Sequence, residues 1–355
     1  MILEEVNQID GIDKDHMIDR VYSFPEQIEE AIHIIEQADL PKLYNIQHII
    51  FTGMGGSAIS GDIIQAYLRE RLSIPITVNR SYDLPKWANK HTLVISQSYS
   101  GNTEETLSAF KQAHQKSCQI IAISSGGKLK EYCERRNTPF IEIPSGYAPR
   151  AATGYLLICG LLSLRSIGIM QNQIDTDITE TIHHLKEIRV KLFKDVTSSE
   201  NCAKDIAEQI GEHITQIYGW GPYEPIAKRW GTQLNENSKL LARYDVVSES
   251  NHNDIVGWAG HPSATKHFIC VLFRDAKLET VQMKTRLDFM RNLLKEVSAG
   301  VIEIDTHEKN LFAKMMYFMY LGDFVSCYAA VNRHVDPTPV AIITQLKEEL
   351  EKLYS

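Results

Sequence analysis

What this 355-residue sequence lacks narrows its reading first. No apolar run approaches the ~20 residues needed to cross a bilayer; the longest, Gly154 to Leu164, stops at Arg165 and reads as a core helix. No membrane partner is expected. The opening residues, MILEEVNQID, carry neither a basic start nor a long apolar segment, so export by a signal peptide is not expected and the expected location is cytoplasmic. The six cysteines, at 118, 133, 159, 202, 270 and 327, have no C-x-x-C spacing, which leaves them as thiols filling the core. No H-x-x-x-H or histidine–carboxylate grouping has metal-ligand spacing, His183-His184 and His334 included, and no metal is expected. An excess of positive charge is also missing. The 37 Lys+Arg against 45 Asp+Glu leave a formal charge of -8, so no nucleic-acid partner is expected and any phosphate site has to be local.

The composition that remains, 43% apolar and 23% charged, is that of a globular chain long enough for two domains. After a polar helical lead-in, Met17 to Ala38, short apolar runs alternate with helix-period stretches. The strand-like runs are Ile46 to Thr52, Pro75 to Val78, Thr92 to Ser96, Cys118 to Ser124 and Phe140 to Ile143. Helices are expected over Ser57 to Arg71, Thr103 to Lys116, Lys128 to Arg136 and Arg150 to Ile167. This alternation predicts βαβ units and a mostly parallel sheet. A polar stretch, Gln171 to Asp177, reads as a linker into a charged helix, Ile178 to Lys194. The pattern then repeats, with strands expected at Ile214 to Gly219, Val246 to Ser248, Phe268 to Phe273 and Val301 to Ile304. Helices near Tyr223 to Leu241 and Leu278 to Val297 lie between them. The chain closes with helices Asn310 to Val331 and Pro339 to Leu353, the last with Thr338 as its N-cap. The expectation is therefore α/β, with two domains at 1–170 and 171–355, each a mostly parallel sheet flanked by helices.

Two loops carry the chemistry. Gly53-Met54-Gly55-Gly56-Ser57-Ala58 follows a strand and opens a helix. Its glycines let backbone N–H groups approach an anion, with the Ser57 hydroxyl as a further donor at the positive helix end. The same string satisfies G-x-G-x-x-A. The dinucleotide reading, however, needs an acid at the end of the second strand, where Asn79 and Arg80 stand, so only an NADP version of it survives. The second loop, Ser96-Gln97-Ser98-Tyr99-Ser100-Gly101-Asn102-Thr103, again links a strand to a helix. Ser98, Ser100 and Thr103 can face the same crevice as Gly56 and Ser57. A capping cluster is the alternative. Hydroxyl and backbone donors without a lysine suit a phosphate monoester on a small molecule. Gly219-Trp220-Gly221-Pro222 looks like a degenerate copy of the first loop, without the serines, and is expected to line the cleft without holding phosphate.

The pair GMGGSAISGD and SYSGNTEET resembles a sugar isomerase (SIS) domain. Pro144 to Ala151, Asn235-Glu236-Asn237-Ser238-Lys239 and Glu249 to Trp258 are further similar to the bifunctional phosphoglucose/phosphomannose isomerases. The resemblance implies two SIS-type domains that interconvert an aldose 6-phosphate and a ketose 6-phosphate through a cis-enediolate, without a cofactor. It implies Gly56, Ser57, Ser98, Ser100 and Thr103 on the 6-phosphate and Glu236 as the general base. Arg150, a permanent cation at the end of a Pro-x-Gly-x-x-Pro turn, would then face the enediolate. Histidine exchanges protons readily near neutral pH, which suits ring opening, and the resemblance implies His252 in that task, assisted by Lys347 on the last helix. In the related enzymes this histidine enters from the neighbouring subunit, so the resemblance also implies a homodimer.

Each residue has a plainer alternative: an i,i+3 pair of Glu236 with Lys239, a helix-start arginine on a carboxylate, a surface histidine, and a solvated lysine on a charged helix. Two other functions compete, a non-catalytic sugar-phosphate sensor and an NADP-dependent oxidoreductase.

Overall fold

The computed structural model describes residues 2–171 and 173–352. Three helices lead in, α1 (Val6–Ile12), α2 (Met17–Tyr22) and α3 (Phe24–Gln37). The helical lead-in expected from Met17 to Ala38 consists of α2 and α3, separated at Ser23. Pro25 sits in the first turn of α3, where a residue without an N–H is tolerated and a new helix starts.

The first sheet is built from β1 (His48–Thr52), α4 (Gly55–Leu68), β2 (Ile76–Asn79), β3 (Thr92–Gln97), α5 (Glu104–Gln115), β4 (Gln119–Ser124), α6 (Gly127–Arg136) and β5 (Phe140–Glu142). A 3-10 turn, Pro149–Ala151, leads into α7 (Thr153–Ser166). All pairings are parallel, in the order β2-β1-β3-β4-β5. Every residue of β3 is buried, as expected of a central parallel strand covered by helices on both faces.

The second half opens with α8 (Gln173–Leu192) and α9 (Cys202–Ile210), followed by β6 (Ile214–Gly219), α10 (Glu224–Asn237) and β7 (Ala242–Val246). Three short helices come next, α11 (Val247–Ser250), α12 (Asp254–Gly260) and α13 (Pro262–Thr265). Then follow β8 (Phe268–Arg274), α14 (Val281–Val297), β9 (Gly300–Asp305), α15 (Leu311–Asn332) and α16 (Ala341–Glu351). This sheet is parallel too, in the order β7-β6-β8-β9. The two-sheet α/β architecture read from the sequence is thus present.

Two helices form the centre. Both α7 and α15 are buried on all sides along nearly their full length, the signature of a helix with no face toward water. Helix α7 packs on α3 and α4, α15 on α8, α9 and α10, and α4 meets α10 across the join.

Several expected boundaries move. The strand placed at Val246 to Ser248 lies earlier, because β7 is an edge strand with Arg243 and Tyr244 exposed, so it lacks the apolar run that marks a central strand. Residues Val247–Ser250 are helical instead. The expected linker is largely absorbed by α8, which starts at Gln173; Asn172 lies outside the described residues. Thr338 is not the N-cap of α16, which starts after Val340; its hydroxyl is buried without a partner. Leu353, the expected end of that helix, lies outside the described residues. Cys133, Cys159, Cys270 and Cys327 fill the core, whereas Cys202 is exposed at the start of α9. Among the described residues no helix is long and apolar enough to cross a membrane.

The α10–α15 contact depends on Gly322. A Cβ there would overlap the indole of Trp230, which is buried and donates from Nε1 to Phe318 O at 2.7 Å. The ring has no room to turn away. Gly322→Ala is expected to cost about 1–3 kcal/mol by overpacking, read as a lower urea midpoint with an unchanged slope.

Candidate active site

In a sheet ordered β2-β1-β3-β4-β5 the strand order reverses between β1 and β3, and such sheets take ligands beyond the strand ends at that point. Both hydroxyl loops leave the sheet there. Gly53 is required by the spacing of the two loops, since a Cβ on it would stand 2.8 Å from Gln97 O. Gly56 serves a different approach: its missing Cβ leaves room for the backbone of Pro149 and Arg150, whose nearest atoms would lie 3.0 and 3.2 Å away.

The hydroxyls converge. Ser57, buried in the first turn of α4, accepts from the Tyr99 backbone N–H at 3.2 Å. Ser98, also buried, lies 2.9 Å from the Thr103 hydroxyl. Thr103 occupies the N-cap position of α5 but makes no capping bond, so the simple capping explanation does not account for its side chain. Ser100 is exposed at the rim and accepts from Asn102 N at 3.2 Å. Tyr99 ties this loop to the next one: its hydroxyl donates to Pro144 O at 3.1 Å and accepts from Tyr147 N at 2.8 Å. Burial pushes its pKa up and keeps it a donor.

Arg150, only 4% exposed, joins the two halves of the chain. Its Nε donates to Asn237 Oδ1 at 2.6 Å, and its Nη2 donates to Pro337 O and Thr338 O, both at 2.8 Å. Nη1 faces the Glu236 carboxylate at 3.5 Å. Burial lowers the arginine pKa and Glu236 opposes that shift, which leaves a cation in a partly dry place. Glu236, in the last turn of α10, is 29% exposed and makes no side-chain hydrogen bond among the described residues. The alternative pairing of Glu236 with Lys239 is not formed; Lys239 turns to backbone carbonyls instead.

A buried pair stands behind Arg150. Arg229 donates from Nε and Nη2 to Asp323 at 3.0 and 2.7 Å, from Nη2 to the Arg150 carbonyl at 3.0 Å and from Nη1 to Thr153 Oγ1 at 2.9 Å. Gln233 also donates to Asp323, at 2.9 Å. The backbone that carries Arg150 is therefore held from α10 and α15 together.

Two expected residues are not brought to this cluster. His252 is exposed just beyond α11, and Lys347 is exposed on α16; neither contacts Arg150 or Glu236 by a hydrogen bond or ion pair among the described residues. The second glycine loop does line a cleft, of 810 Å³, together with Asp62, Arg80, Lys228 and Tyr244. That cleft is separate from the hydroxyl loops. Arg80 is ion-paired with Asp62, so the cation that an NADP reading needs for a 2′-phosphate is already engaged. One group with ligand-type atoms gathers elsewhere: Asp10, His16 and Asp19 lie within 4.8 Å of one another. Lys194 already bridges its two carboxylates at 2.7 and 2.8 Å.

Residues 42–134 match the model of the SIS domain, and residues 199–350 match the bacterial phospho-glucose isomerase C-terminal SIS domain. A bifunctional phosphoglucose/phosphomannose isomerase of Caldicellulosiruptor bescii is 40% identical, over 95% of this chain and 99% of that one. This chain belongs to the bifunctional phosphoglucose/phosphomannose isomerase family. The family member from Aquifex aeolicus is 32% identical over 92% of this chain and 97% of its own. A solved glucose-6-phosphate isomerase like protein from Thermus thermophilus shares the fold, with a TM-score of 0.64 at 14% identity over 97% of this chain and 99% of that one.

Sequence reading overlooked several members of the cluster. Asn237 stands in the same motif as Glu236, but its role in holding Arg150 appears only once the arginine is folded against it. The carbonyls of Pro337 and Thr338 leave no trace in side-chain identity. The Arg229–Asp323 pair joins positions 94 residues apart, and its one sequence signal is a charge in the middle of each of two helices that are otherwise buried there. Asp323→Ala would leave the Arg229 guanidinium buried without its partner. The expected cost is about 3–5 kcal/mol, measured by urea denaturation.

Proposed function

We propose that this chain interconverts glucose 6-phosphate and mannose 6-phosphate with fructose 6-phosphate. The observation that carries the reading is the partly exposed, otherwise unbonded Glu236 carboxylate facing Arg150 Nη1 at 3.5 Å, beside the cluster of loop hydroxyls. In this reading the first domain, residues 1–170, supplies the phosphate site. Gly56 offers backbone, and Ser57, Ser98, Ser100 and Thr103 offer hydroxyls to the 6-phosphate. The second domain, residues 171–355, supplies the base.

With the sugar ring open, Glu236 takes the C2 proton. The freed electron pair forms the C1–C2 double bond, and the carbonyl pair moves onto O1. The resulting cis-enediolate lies beside Arg150, a fixed positive charge that gains interaction energy as the oxygens gain charge. The proton returns at C1, and the hydroxyl proton passes from O2 to O1, giving the ketose. The change is redox-neutral within one molecule, so it draws on no cofactor. Glucose 6-phosphate and mannose 6-phosphate differ only at C2 and lose that difference in the same enediolate.

His252 opens the ring from the neighbouring subunit of a homodimer, with Lys347 assisting. The exposure of His252, of Val256 four residues on, and of Ile342, Ile343, Leu346 and Leu350 on α16 supports apolar surface covered by a second copy. A cytoplasmic location is part of the same reading.

The direct test is a coupled assay of fructose 6-phosphate formation from each aldose. Wild type should turn over both, and Glu236→Gln should lose roughly 10²–10⁴-fold in kcat while still binding sugar phosphate by calorimetry. Binding without turnover in wild type would make the protein a sensor. The shared site is tested by mixing. Glu236→Gln and His252→Ala chains, each nearly inactive alone, should form mixed dimers with one complete site, recovering roughly a quarter of wild-type activity after unfolding and reassembly. No recovery, with mixed dimers verified by mass, would place His252 in its own subunit's site.

A further inference from the structure

Lys239 lies just beyond α10 and has φ of +52°, in the left-handed region that few non-glycine residues occupy. That turn sends its side chain back over the helix end. The ammonium donates to Asn237 O at 3.0 Å, Asp336 O at 2.6 Å and Pro337 O at 3.1 Å. Pro337 O also accepts from Arg150, which continues to Thr338 O. Two cations, one from each half of the chain, thus hold three consecutive carbonyls at 336–338. This turn is the stem of α16, whose side chains from 341 to 350 are all exposed. The grip on 336–338 holds the stem from which α16 departs.

We propose that Lys239 is a positioning residue for the reaction: with Arg150 it clamps the 336–338 turn to the end of α10 and so registers the helix that carries Lys347 against Glu236. The inference rests on the isomerase reading above.

The chemistry of the clamp makes it testable by pH. An ammonium has three donors for three carbonyls; the neutral amine has two. Lys239 is exposed as a residue, but its ammonium lies against three carbonyls. This desolvation and the Arg150 charge bring its pKa from 10.5 to about 8. Asp336 on the turn, Cys327 on α15 and Glu236 on α10 pull the other way, and Arg333 lies on the neighbouring Ser238 carbonyl. Because the folded pKa is depressed, the unfolded chain binds more protons between about 8 and 10.5. Stability linked to this group therefore rises, not falls, through that window. Loss of the clamp by deprotonation lowers activity without lowering stability, which separates positioning from a merely structural role.

The experiment compares wild type, Lys239→Met and Lys239→Arg as full chains, reading kcat and KM from neutrality to about pH 9.5. Melting temperature and hydrogen exchange of a peptide covering 335–346 are followed in parallel. Wild type should lose kcat above about pH 8 with no parallel fall in melting temperature. Lys239→Met should lose roughly tenfold or more in kcat, keep KM within about twofold and exchange faster over 335–346. Lys239→Arg, permanently charged, should recover most of kcat and remove the alkaline limb. Wild-type kcat and exchange in Lys239→Met, or an unchanged alkaline limb in Lys239→Arg, would overturn the clamp. An inactive wild type would instead sink the isomerase reading, and with it the positioning role, whereas an active wild type with an indifferent Lys239→Met sinks the clamp alone. Should Lys239→Met fail to fold, the wild-type and Lys239→Arg profiles still decide.

Discussion

A guanidinium buried between two sheets has to have its donors met, and the site is organised around how Arg150 meets that demand. Its partners come from two places: Asn237 and Glu236 from the end of α10, and the carbonyls of Pro337 and Thr338 from the stem of α16. None of these contacts forms until both halves of the chain are folded against each other. The cost of burying the charge is met only in the assembled state, which makes Arg150 a condition of the join as well as a member of the candidate site. Gly56 gives the close approach that seats the arginine, and Arg229 with Asp323 holds its carbonyl from behind. Substitutions at these supports would displace the cation without touching it.

The two halves repeat one topology but differ in what their strand-order reversals hold. Gly55 and Gly221 both stand at φ of +51° after the first strand of their sheets. In the first half the space beyond is lined by neutral hydroxyls. In the second, Trp220 donates to Phe273 O at 2.9 Å, and Asp275 accepts from Tyr223 at 2.6 Å and from Lys314 at 2.7 Å. Pro222 lacks the N–H that an anion would use. A carboxylate already paired and a missing donor disfavour phosphate there, so the repeat carries one anion-type loop pair, not two.

The legible part of the molecule was whatever local pattern determines. Central strands such as β3 and β8 announce themselves by apolar runs, and the loops by glycine and serine at strand-to-helix junctions. Edge strand β7 did not, because Arg243 and Tyr244 at its centre face water and its identity comes from pairing with β6. Glu236 and Arg150 were legible as members of motifs, but their contact was not. The helix-based pairing of Glu236 with Lys239 was the local alternative, and it loses because the backbone turns left-handed at Lys239 and carries the ammonium to carbonyls. Likewise, Thr338 had the residue type of an N-cap, yet the turn it belongs to is pinned by Arg150 before the helix begins.

The distribution of charge bears on how the proposed reaction is driven. The hydroxyl loops carry no lysine or arginine between Gly53 and Ala58 or between Ser96 and Thr103. In the proposed reading they hold a phosphate that is equally charged in substrate, transition state and product. Interactions made there strengthen binding throughout and do not by themselves accelerate the chemical step. The permanent cation stands at the other end, against Glu236, where the sugar oxygens would change charge during the reaction. A net acidic chain therefore has little need of a basic phosphate pocket. In that reading neutral donors suffice to anchor the end that does not change, and a single arginine, dried by burial and fixed by its partners, is the group proposed to act at the end that does.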